Sequence, residues 1–298
     1  MELKFSIIIP SYNEKEDVRL SIESAISQIY QNKEILVVDD STDNTPEIIK
    51  EYAQQGVKFV AGQKKGCCGA KNQGIKMATG DIIVILNADV VLPPDFLDKI
   101  SIHYEKDGAD YVPVESKVFN QENFWARFIE MQHRYETGKI GDKTEWSEGF
   151  SFRRQAALDV GLIPGDFPAR FCRDWFLGKK MNEAGFKKVV DRSILVTHKA
   201  PDNFKEYWRV RKNRGRFSAL TQYFLLKRNR GFLALKFLIK DLLWFLEFIL
   251  VFPAAIKIYK ISGLSKNHFR DFFLFLYAYL TQKAAFIFGE WSGLILKK

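Results

Sequence analysis

Polar side chains that can bind a cation follow three apolar runs near the start of the sequence. They lie in Pro10–Glu14, in Asp39–Asp40 and in Asn87–Asp89, each directly after a run that predicts a buried strand. The carboxyl ends of parallel strands share one edge of a sheet, and ligands bind in the crevice beyond that edge. Crowded carboxylates raise one another's pKa, and a divalent cation bound to substrate phosphates relieves the repulsion. The spacing therefore predicts a metal and phosphate site, with helix capping by Asp39 and Asp40 as the alternative.

The loop Gly62–Gly69 and the helix predicted after it supply a second candidate phosphate contact. Lys71 and Asn72 open that helix in the predicted layout, where backbone amides and a cation suit a phosphate. A solvent-exposed lysine is the alternative. His198 follows the last predicted strand of the region and is a further candidate ligand, with a purely structural histidine as its alternative.

Apolar runs alternate with helical patterns through about the first hundred residues. This alternation is typical of βαβ units, and it predicts an α/β fold with a mixed, mainly parallel sheet flanked by helices. Further strands are expected at Tyr111–Val114, Gly149–Phe152 and Lys188–Val196. Helices are expected at Glu14–Tyr30, Asn123–Tyr135 and Arg173–Ala184.

Four segments resemble, in order and in spacing, the signature of the family 2 glycosyltransferases. They are Phe5–Glu14, Val37–Asp43, Gly69–Asp81 and Leu86–Asp89. The resemblance covers about residues 5–198, and it implies the GT-A fold, a Rossmann-like architecture. It further implies a nucleotide-diphosphate sugar as donor, Mg²⁺ or Mn²⁺ as cofactor and a hydroxyl group as acceptor.

The resemblance also assigns roles to single residues. By analogy with the family, Pro10, Tyr12, Glu14 and Asp39 hold the nucleoside. The main metal ligand maps to the last residue of the Asp-x-Asp motif, which is Asp89. His198 lies where many members carry a histidine near the donor diphosphate or the metal, so it is expected to bind there.

Two positions depart from the family pattern. Asn87 replaces the first acidic residue of Asp-x-Asp, and its amide can bond ribose or a metal-bound water. Arg173 replaces a glutamate before Asp174, which keeps the expected position of the catalytic general base. The arginine favours the ionised form of that carboxylate. As the alternative, Asp174 stabilises the start of a helix through the helix dipole.

The net charge of +9 is divided unevenly along the chain. Residues 1–198 carry 26 basic and 30 acidic side chains, whereas residues 199–298 carry 19 and 6. We therefore predict a GT-A catalytic domain over residues 1–200 and a basic, aromatic-rich helical region over residues 201–298. Three cysteines, two of them adjacent, exclude a disulfide framework and favour a reducing compartment.

Two apolar segments, about residues 231–256 and 269–296, follow a cation-rich stretch. Lys236 and Lys240 share one helical stripe, which predicts a helix lying in the membrane interface with its cations toward anionic head groups. Spanning and in-plane arrangements both stay open, and a soluble helical pair is the alternative. We expect the protein at the cytoplasmic face of the cell membrane, bound to its anionic surface.

These features together predict an inverting glycosyltransferase that moves a single sugar to a lipid-linked or glycan acceptor. The Gln-x-x-Arg-Trp motif of processive synthases is absent, which favours transfer of one sugar at a time. No nucleic-acid partner is expected. The alternative is a catalytically weakened GT-A-like scaffold that binds membrane or nucleic acid through its basic C-terminal third. A receiver-like phosphoacceptor would use Asp39, Asp40 and Asp89 but would leave Asp174 without a role.

Overall fold

The structure is a computed structural model that describes residues 2–140, 148–164, 174–250 and 252–295. It divides into two compact units. The first comprises Met1–Lys117 and Asp142–His198, and the second comprises Val118–Gly141 and Lys199–Lys298. The predicted boundary after residue 200 lies close to the division at His198, but the second unit also includes residues 118–141. That boundary stays a prediction.

The described residues contain nine strands. In chain order they are β1 (Phe5–Ser11), β2 (Lys33–Asp39), β3 (Val57–Ala61), β4 (Ile82–Ile85), β5 (Val90–Val91), β6 (Tyr111–Val112), β7 (Val114–Val118), β8 (Ser151–Arg153) and β9 (Asp191–His198). The helices of the first unit are α1 (Val18–Ile26), α2 (Thr45–Lys50), α3 (Gly66–Met77), α4 (Phe96–Glu105), α6 (Arg154–Asp159) and α7 (Asp174–Glu183). The helices of the second unit are α5 (Phe124–Ile140), α8 (Phe204–Leu220), α9 (Arg230–Leu250), α10 (Phe252–Ser262) and α11 (His268–Ile295).

A six-stranded sheet of order β3-β2-β1-β4-β8-β6 forms the centre of the first unit. Strands β3, β2, β1 and β4 are parallel to their neighbours, whereas β8 runs antiparallel to both β4 and β6. A second sheet of order β5-β9-β7 lies in the same unit. The predicted mixed, mainly parallel sheet is confirmed, and the carboxyl ends of β1, β2 and β4 lie side by side.

Strand β1 separates two hydrophobic cores because successive side chains of a strand point to opposite faces. Phe5, Ile7 and Ile9 belong to one core, and Ile8 belongs to the other. Helix α3 packs closely on this second face at Gly74. A Cβ atom there would lie 2.4 Å from Cγ2 of Ile8, so the close approach of helix and strand requires glycine.

Two predicted elements have different limits in the structure. The helix expected over Glu14–Tyr30 is shorter, because the carbonyl of Glu14 accepts hydrogen bonds from the amides of Asp17 and Val18 in a turn that precedes α1. The strand expected over Lys188–Val196 ends at His198. His198 is therefore inside a strand instead of following one.

An aromatic core holds the second unit together. Trp125, Phe128, Tyr207 and Phe275 are buried within it. Three glycines bring α8 and α11 close enough for backbone contact: Gly215, Gly289 and Gly293. A Cβ atom on each would lie 2.0, 1.9 and 2.5 Å from a backbone oxygen of the facing helix. The predicted helical composition of this region is therefore observed, as a bundle that includes α5.

Candidate functional site

Backbone pairing and side-chain hydrogen bonds tie together the loops that follow β1 and β2. Ser11, the last residue of β1, pairs with Asp39, the last residue of β2. Asn13 has a positive φ of 57°; its amide donates to Oγ of Ser41 at 2.7 Å, and its Oδ1 accepts from the amide of Thr42 at 2.9 Å. An asparagine tolerates this backbone conformation. The segment Pro10–Glu14 is thereby held against the segment that contains Asp39.

Asp39 is a buried carboxylate at the end of its strand. Its Oδ1 accepts from Oγ of Ser41 at 2.6 Å, and its Oδ2 accepts from the amide of Ser41 at 3.2 Å. Helix α2 begins six residues later, and Asp43 accepts from its first amide, that of Thr45, at 3.1 Å. The carboxylate of Asp39 thus bonds Ser41 and no amide of α2, so the alternative role for Asp39 as a helix cap is wrong.

Asp40 points in a different direction from Asp39. Its Oδ1 accepts from the amide of Lys64 at 2.7 Å, in the loop before α3. A Cβ atom on Gly62 would lie 2.1 Å from the same oxygen, so this loop can approach Asp40 only with glycine at that position. Asp40 orders the loop before α3 and does not cap α2.

Asp89 lies in the turn between β4 and β5, which is closed by a hydrogen bond from the amide of Val90 to the carbonyl of Asn87 at 3.0 Å. Burial, together with the negative charges of Glu148 and Glu14, raises its pKa to about 7. Three carboxylates from three chain segments thus repel one another at this edge. A cation would relieve that repulsion, so the residues present fit a divalent metal ion.

Glu148 is the site residue that sequence reasoning missed. Its Oε2 accepts from Nδ2 of Asn87 at 2.9 Å. Because β8 runs antiparallel to β4, the residues just before β8 lie at the carboxyl end of β4. Gly149 has a φ of +71° and turns the chain between Glu148 and the strand. The strand was predicted, but its direction was not, and the direction decides where Glu148 lies.

The two residues predicted to bind metal lie in neighbouring segments of the first unit. Val90, the residue after Asp89, pairs with His198 in the antiparallel ladder of β5 and β9. Among the residues that the structure describes, no three His, Cys, Asp or Glu side chains are grouped to hold a metal ion by themselves. A metal bound here would therefore need oxygen ligands from a substrate, which is the usual arrangement for Mg²⁺ with phosphates.

The remaining predicted contacts differ in their surroundings. Tyr12 is 54% exposed, whereas Pro10 is buried within β1. Lys71 is completely buried in the second turn of α3, so the prediction that it opens the helix is wrong, and so is the alternative of an exposed lysine. Asn72 does not open the helix either. It bonds Ile163, with its Nδ2 donating to the carbonyl at 2.7 Å and its Oδ1 accepting from the amide at 3.1 Å.

The predicted general base can be placed only in part. The described part of helix α7 starts at Asp174. The side chain of Asp174 and the whole of Arg173 lie outside the described residues. Their roles stay predictions.

The sheet order, the mainly parallel strands and the carboxylates at their shared edge define a GT-A fold. The family model "Glycosyl transferase family 2" matches residues 6–173, more than half of the sequence. The chain belongs to glycosyl transferase family 2.

Two curated relatives illustrate the similarity. "UDP-Glc:alpha-D-GlcNAc-diphosphoundecaprenol beta-1,3-glucosyltransferase WfgD" of Escherichia coli is 31% identical over 129 residues, which is 43% of this chain and 51% of the relative. "Dolichol-phosphate mannosyltransferase" of Pyrococcus furiosus is 40% identical over 180 residues, 55% of this chain and 50% of the relative. The chain therefore matches about half the length of these curated relatives.

A solved structure supports the fold. "Mannosyltransferase PcManGT from Pyrobaculum calidifontis in complex with GDP-Man and Mn2+" superposes with a TM-score of 0.60 at 20% identity. The superposition covers 77% of this chain and 66% of that chain. At this identity the likeness concerns the fold alone.

Proposed function

We propose that the protein is an inverting glycosyltransferase that moves a single sugar from a nucleotide-diphosphate sugar to a hydroxyl group of a lipid-linked or glycan acceptor. The observation that carries the proposal is the group of carboxylates around Asp89. Burial and the charges of Glu148 and Glu14 raise the pKa of Asp89 to about 7. Such a group suits a divalent cation together with a diphosphate. Membership of family 2 supports the same reaction class.

The residues at the sheet edge have separate roles in this proposal. Pro10, Tyr12 and Asp39 contact the nucleoside of the donor, and Tyr12 is exposed enough to stack against a base. Glu14 also contacts the nucleoside, and the amide of Asn87 bonds ribose or a metal-bound water. The buried cation of Lys71 adds positive charge behind this edge, within the helix that packs on β1 and β2.

Asp89 and His198 hold Mg²⁺ or Mn²⁺ in the proposed complex. When bound, the cation stabilises the negative charge that develops on the leaving diphosphate. Asp174 removes the proton from the acceptor hydroxyl while its oxygen attacks the anomeric carbon from the face opposite the leaving group. That geometry inverts the anomeric configuration.

The acceptor is proposed to lie at the cytoplasmic face of the membrane. The names of the two relatives mention undecaprenol diphosphate and dolichol phosphate, which are lipid-linked phosphates. The charge of residues 199–298, with 19 basic and 6 acidic side chains, suits the anionic surface where such lipids reside. A scaffold without activity is the competing interpretation.

Donor binding separates the enzyme from the scaffold. We expect isothermal titration with UDP, GDP and their sugar conjugates to show binding that Mn²⁺ strengthens. Asp89→Asn should abolish the effect of Mn²⁺, whereas the control Asp95→Asn should retain it, because Asp95 is a surface residue paired with Lys99 at 2.8 Å. Absence of binding to every nucleotide, with and without metal, would favour the scaffold.

The base assignment needs its own test. Asp174→Asn should retain Mn²⁺-dependent donor binding and lose glycosyl transfer to a polyprenyl-phosphate or glycan acceptor. Normal transfer by the folded variant would remove Asp174 from the mechanism. The anomeric configuration of the product, measured by NMR, tests inversion.

A further inference from the structure

Helix α9 exposes its apolar face, whereas a helix on the surface of a soluble protein usually buries that face. Eight of its large apolar side chains are between 47% and 62% exposed. They are Phe232, Leu235, Leu238, Ile239, Leu242, Leu243, Phe245 and Leu246. At 100° per residue these positions cover one continuous face of the helix about 160° wide. An exposed apolar face of this extent marks an interaction surface.

Two charged residues of α9, Lys240 and Asp241, contact helix α11. Lys240 pairs with the buried Glu290 of α11, and Asp241 accepts from Nε1 of Trp291 at 2.7 Å. This corrects the sequence-based expectation that Lys240 faces lipid head groups. The two contacts fix the rotation of α9 about its axis, because turning the helix would leave the buried carboxylate of Glu290 without Lys240. The apolar face is therefore held outward.

Cations lie around the beginning of this apolar face. Lys227 and Arg228 are exposed just before α9, Arg230 is its first residue, and Lys236 is exposed one turn further along. Gln222 accepts hydrogen bonds from Arg228 at 3.1 Å and from Lys236 at 2.6 Å, which keeps these two cations together. Clustered cations beside an apolar helix face match an anionic lipid surface. A second copy of this basic unit would be repelled by the same charges.

Helix α11 is the one helix, among the described residues, that is long and apolar enough to cross a membrane. Its packing argues against that role. Gly289 and Gly293 place its backbone directly on α8, and α8 carries six lysine and arginine side chains. A spanning α11 would either draw these cations into hydrocarbon or lose the contact with α8, and charges in hydrocarbon are strongly unfavourable. Helix α9 has no such restriction.

We infer that α9 is an in-plane membrane anchor: its apolar face inserts among the acyl chains of an anionic bilayer while Lys227, Arg228, Arg230 and Lys236 contact lipid phosphates, and α11 does not span. The inference deepens the membrane part of the proposed function. It does not depend on catalysis. If α9 proves not to bind membranes, the results on donor binding and glycosyl transfer still stand.

Vesicle flotation with the full chain tests the inference. The wild-type protein should float with vesicles of phosphatidylglycerol and phosphatidylcholine, and binding should fall at least about tenfold with phosphatidylcholine alone or at high salt. The double variant Leu235→Glu/Leu242→Glu should lose at least about tenfold in partitioning, since it places two carboxylates in the middle of the apolar face. The matched control Ile29→Glu/Met77→Glu changes two similarly exposed apolar residues of the first unit and should bind like the wild type.

Each result decides between named alternatives. Unchanged binding of the α9 double variant would overturn the inference, as would wild-type protein that ignores vesicles and self-associates through this face. Transfer to fresh vesicles separates in-plane from spanning insertion, because an in-plane anchor exchanges and a spanning helix does not. Hydrogen exchange of the wild type provides a readout free of folding defects: vesicles should protect α9 and leave α11 unchanged.

Discussion

Glu34 ties together the amino ends of the four parallel strands, at the edge opposite the candidate site. Its Oε1 accepts from Oγ of Ser6 at 2.7 Å and from the amide of Thr79 at 2.7 Å, and its Oε2 accepts from Nζ of Lys58 at 2.9 Å. Ser6 lies in β1, Glu34 in β2, Lys58 in β3, and Thr79 precedes β4. The alignment of these strands determines where their carboxyl ends, and hence the site residues, meet.

The carboxylate of Glu34 should contribute measurably to stability. Burial alone would raise its pKa, but the hydrogen bonds from Thr79, Lys58 and Ser6 outweigh burial and lower the pKa from 4.5 to about 2. A lowered pKa means that the stabilisation is present above the unfolded value, near pH 4.5, and is lost as the pH falls through about 2. The shift corresponds to about 3 kcal/mol at neutral pH.

Glu34→Gln should therefore lower the free energy of unfolding by about 2–3 kcal/mol at pH 7, because the amide still accepts from Ser6 but presents a donor to Lys58. Urea titration followed by circular dichroism measures the loss, with Glu105→Gln as the control at an exposed position. The difference between variant and wild type should shrink toward pH 2.5. An equal loss at both pH values, or a loss below about 0.5 kcal/mol at pH 7, would refute the reasoning. Turnover per folded molecule should stay unchanged.

Three further substitutions test the site and its supports. Glu148→Gln keeps an acceptor for Asn87 but removes a charge, so we expect nucleotide-diphosphate binding, measured by titration calorimetry, to weaken about fivefold with Mn²⁺ and not to weaken without it. His103→Gln removes a histidine held between two aspartates at 2.7 and 2.9 Å, which outweigh burial and raise its pKa. The stabilisation that His103 contributes is fully present below its pKa in the unfolded chain and is lost as the pH rises through its pKa in the folded protein. Urea titrations should therefore show that the variant loses more unfolding free energy at about pH 5.5 than at pH 9. Arg127→Lys removes the two hydrogen bonds of 2.8 Å that Arg127 donates to the buried Asp271, and it should lower the free energy of unfolding by about 2–3 kcal/mol in the same assay. The control Arg270→Lys should lower it little, because Arg270 lies 3.6 Å from the same carboxylate.

The parallel part of the fold is predictable because its signals are local. Continuous apolar runs such as Ile82–Ile85 occur in strands buried on both faces, and helical spacing between them specifies parallel crossovers. The convergence of Glu14, Asp39 and Asp89 follows from that topology alone. The predicted limits were less accurate where backbone hydrogen bonds close a turn before the helix, as at Glu14.

Features that depend on tertiary pairing were not predictable from local pattern. Residues 118–141 belong to the C-terminal unit through contacts with residues far away in sequence, such as the core packing of Phe128 and the pair of Arg127 with Asp271. The rotation of α9 depends on Glu290 and Trp291, which lie about fifty residues later. Helical periodicity identifies the two faces of α9, but it does not state which face meets protein and which meets solvent or lipid.

Glu148 gives a physical reason why an asparagine stands at position 87, where the family motif has an aspartate. An aspartate at position 87 would place its carboxylate against Oε2 of Glu148, where the amide of Asn87 now donates at 2.9 Å. Asp89 would then face one more negative charge, in addition to those of Glu148, Glu14 and Asp17, which already contribute to its raised pKa. A carboxylate is therefore present beside position 87, but it comes from Glu148, just before β8. The asparagine at position 87 thus leaves Asp89 with a neighbouring carboxylate in Glu148, as the proposed metal site requires.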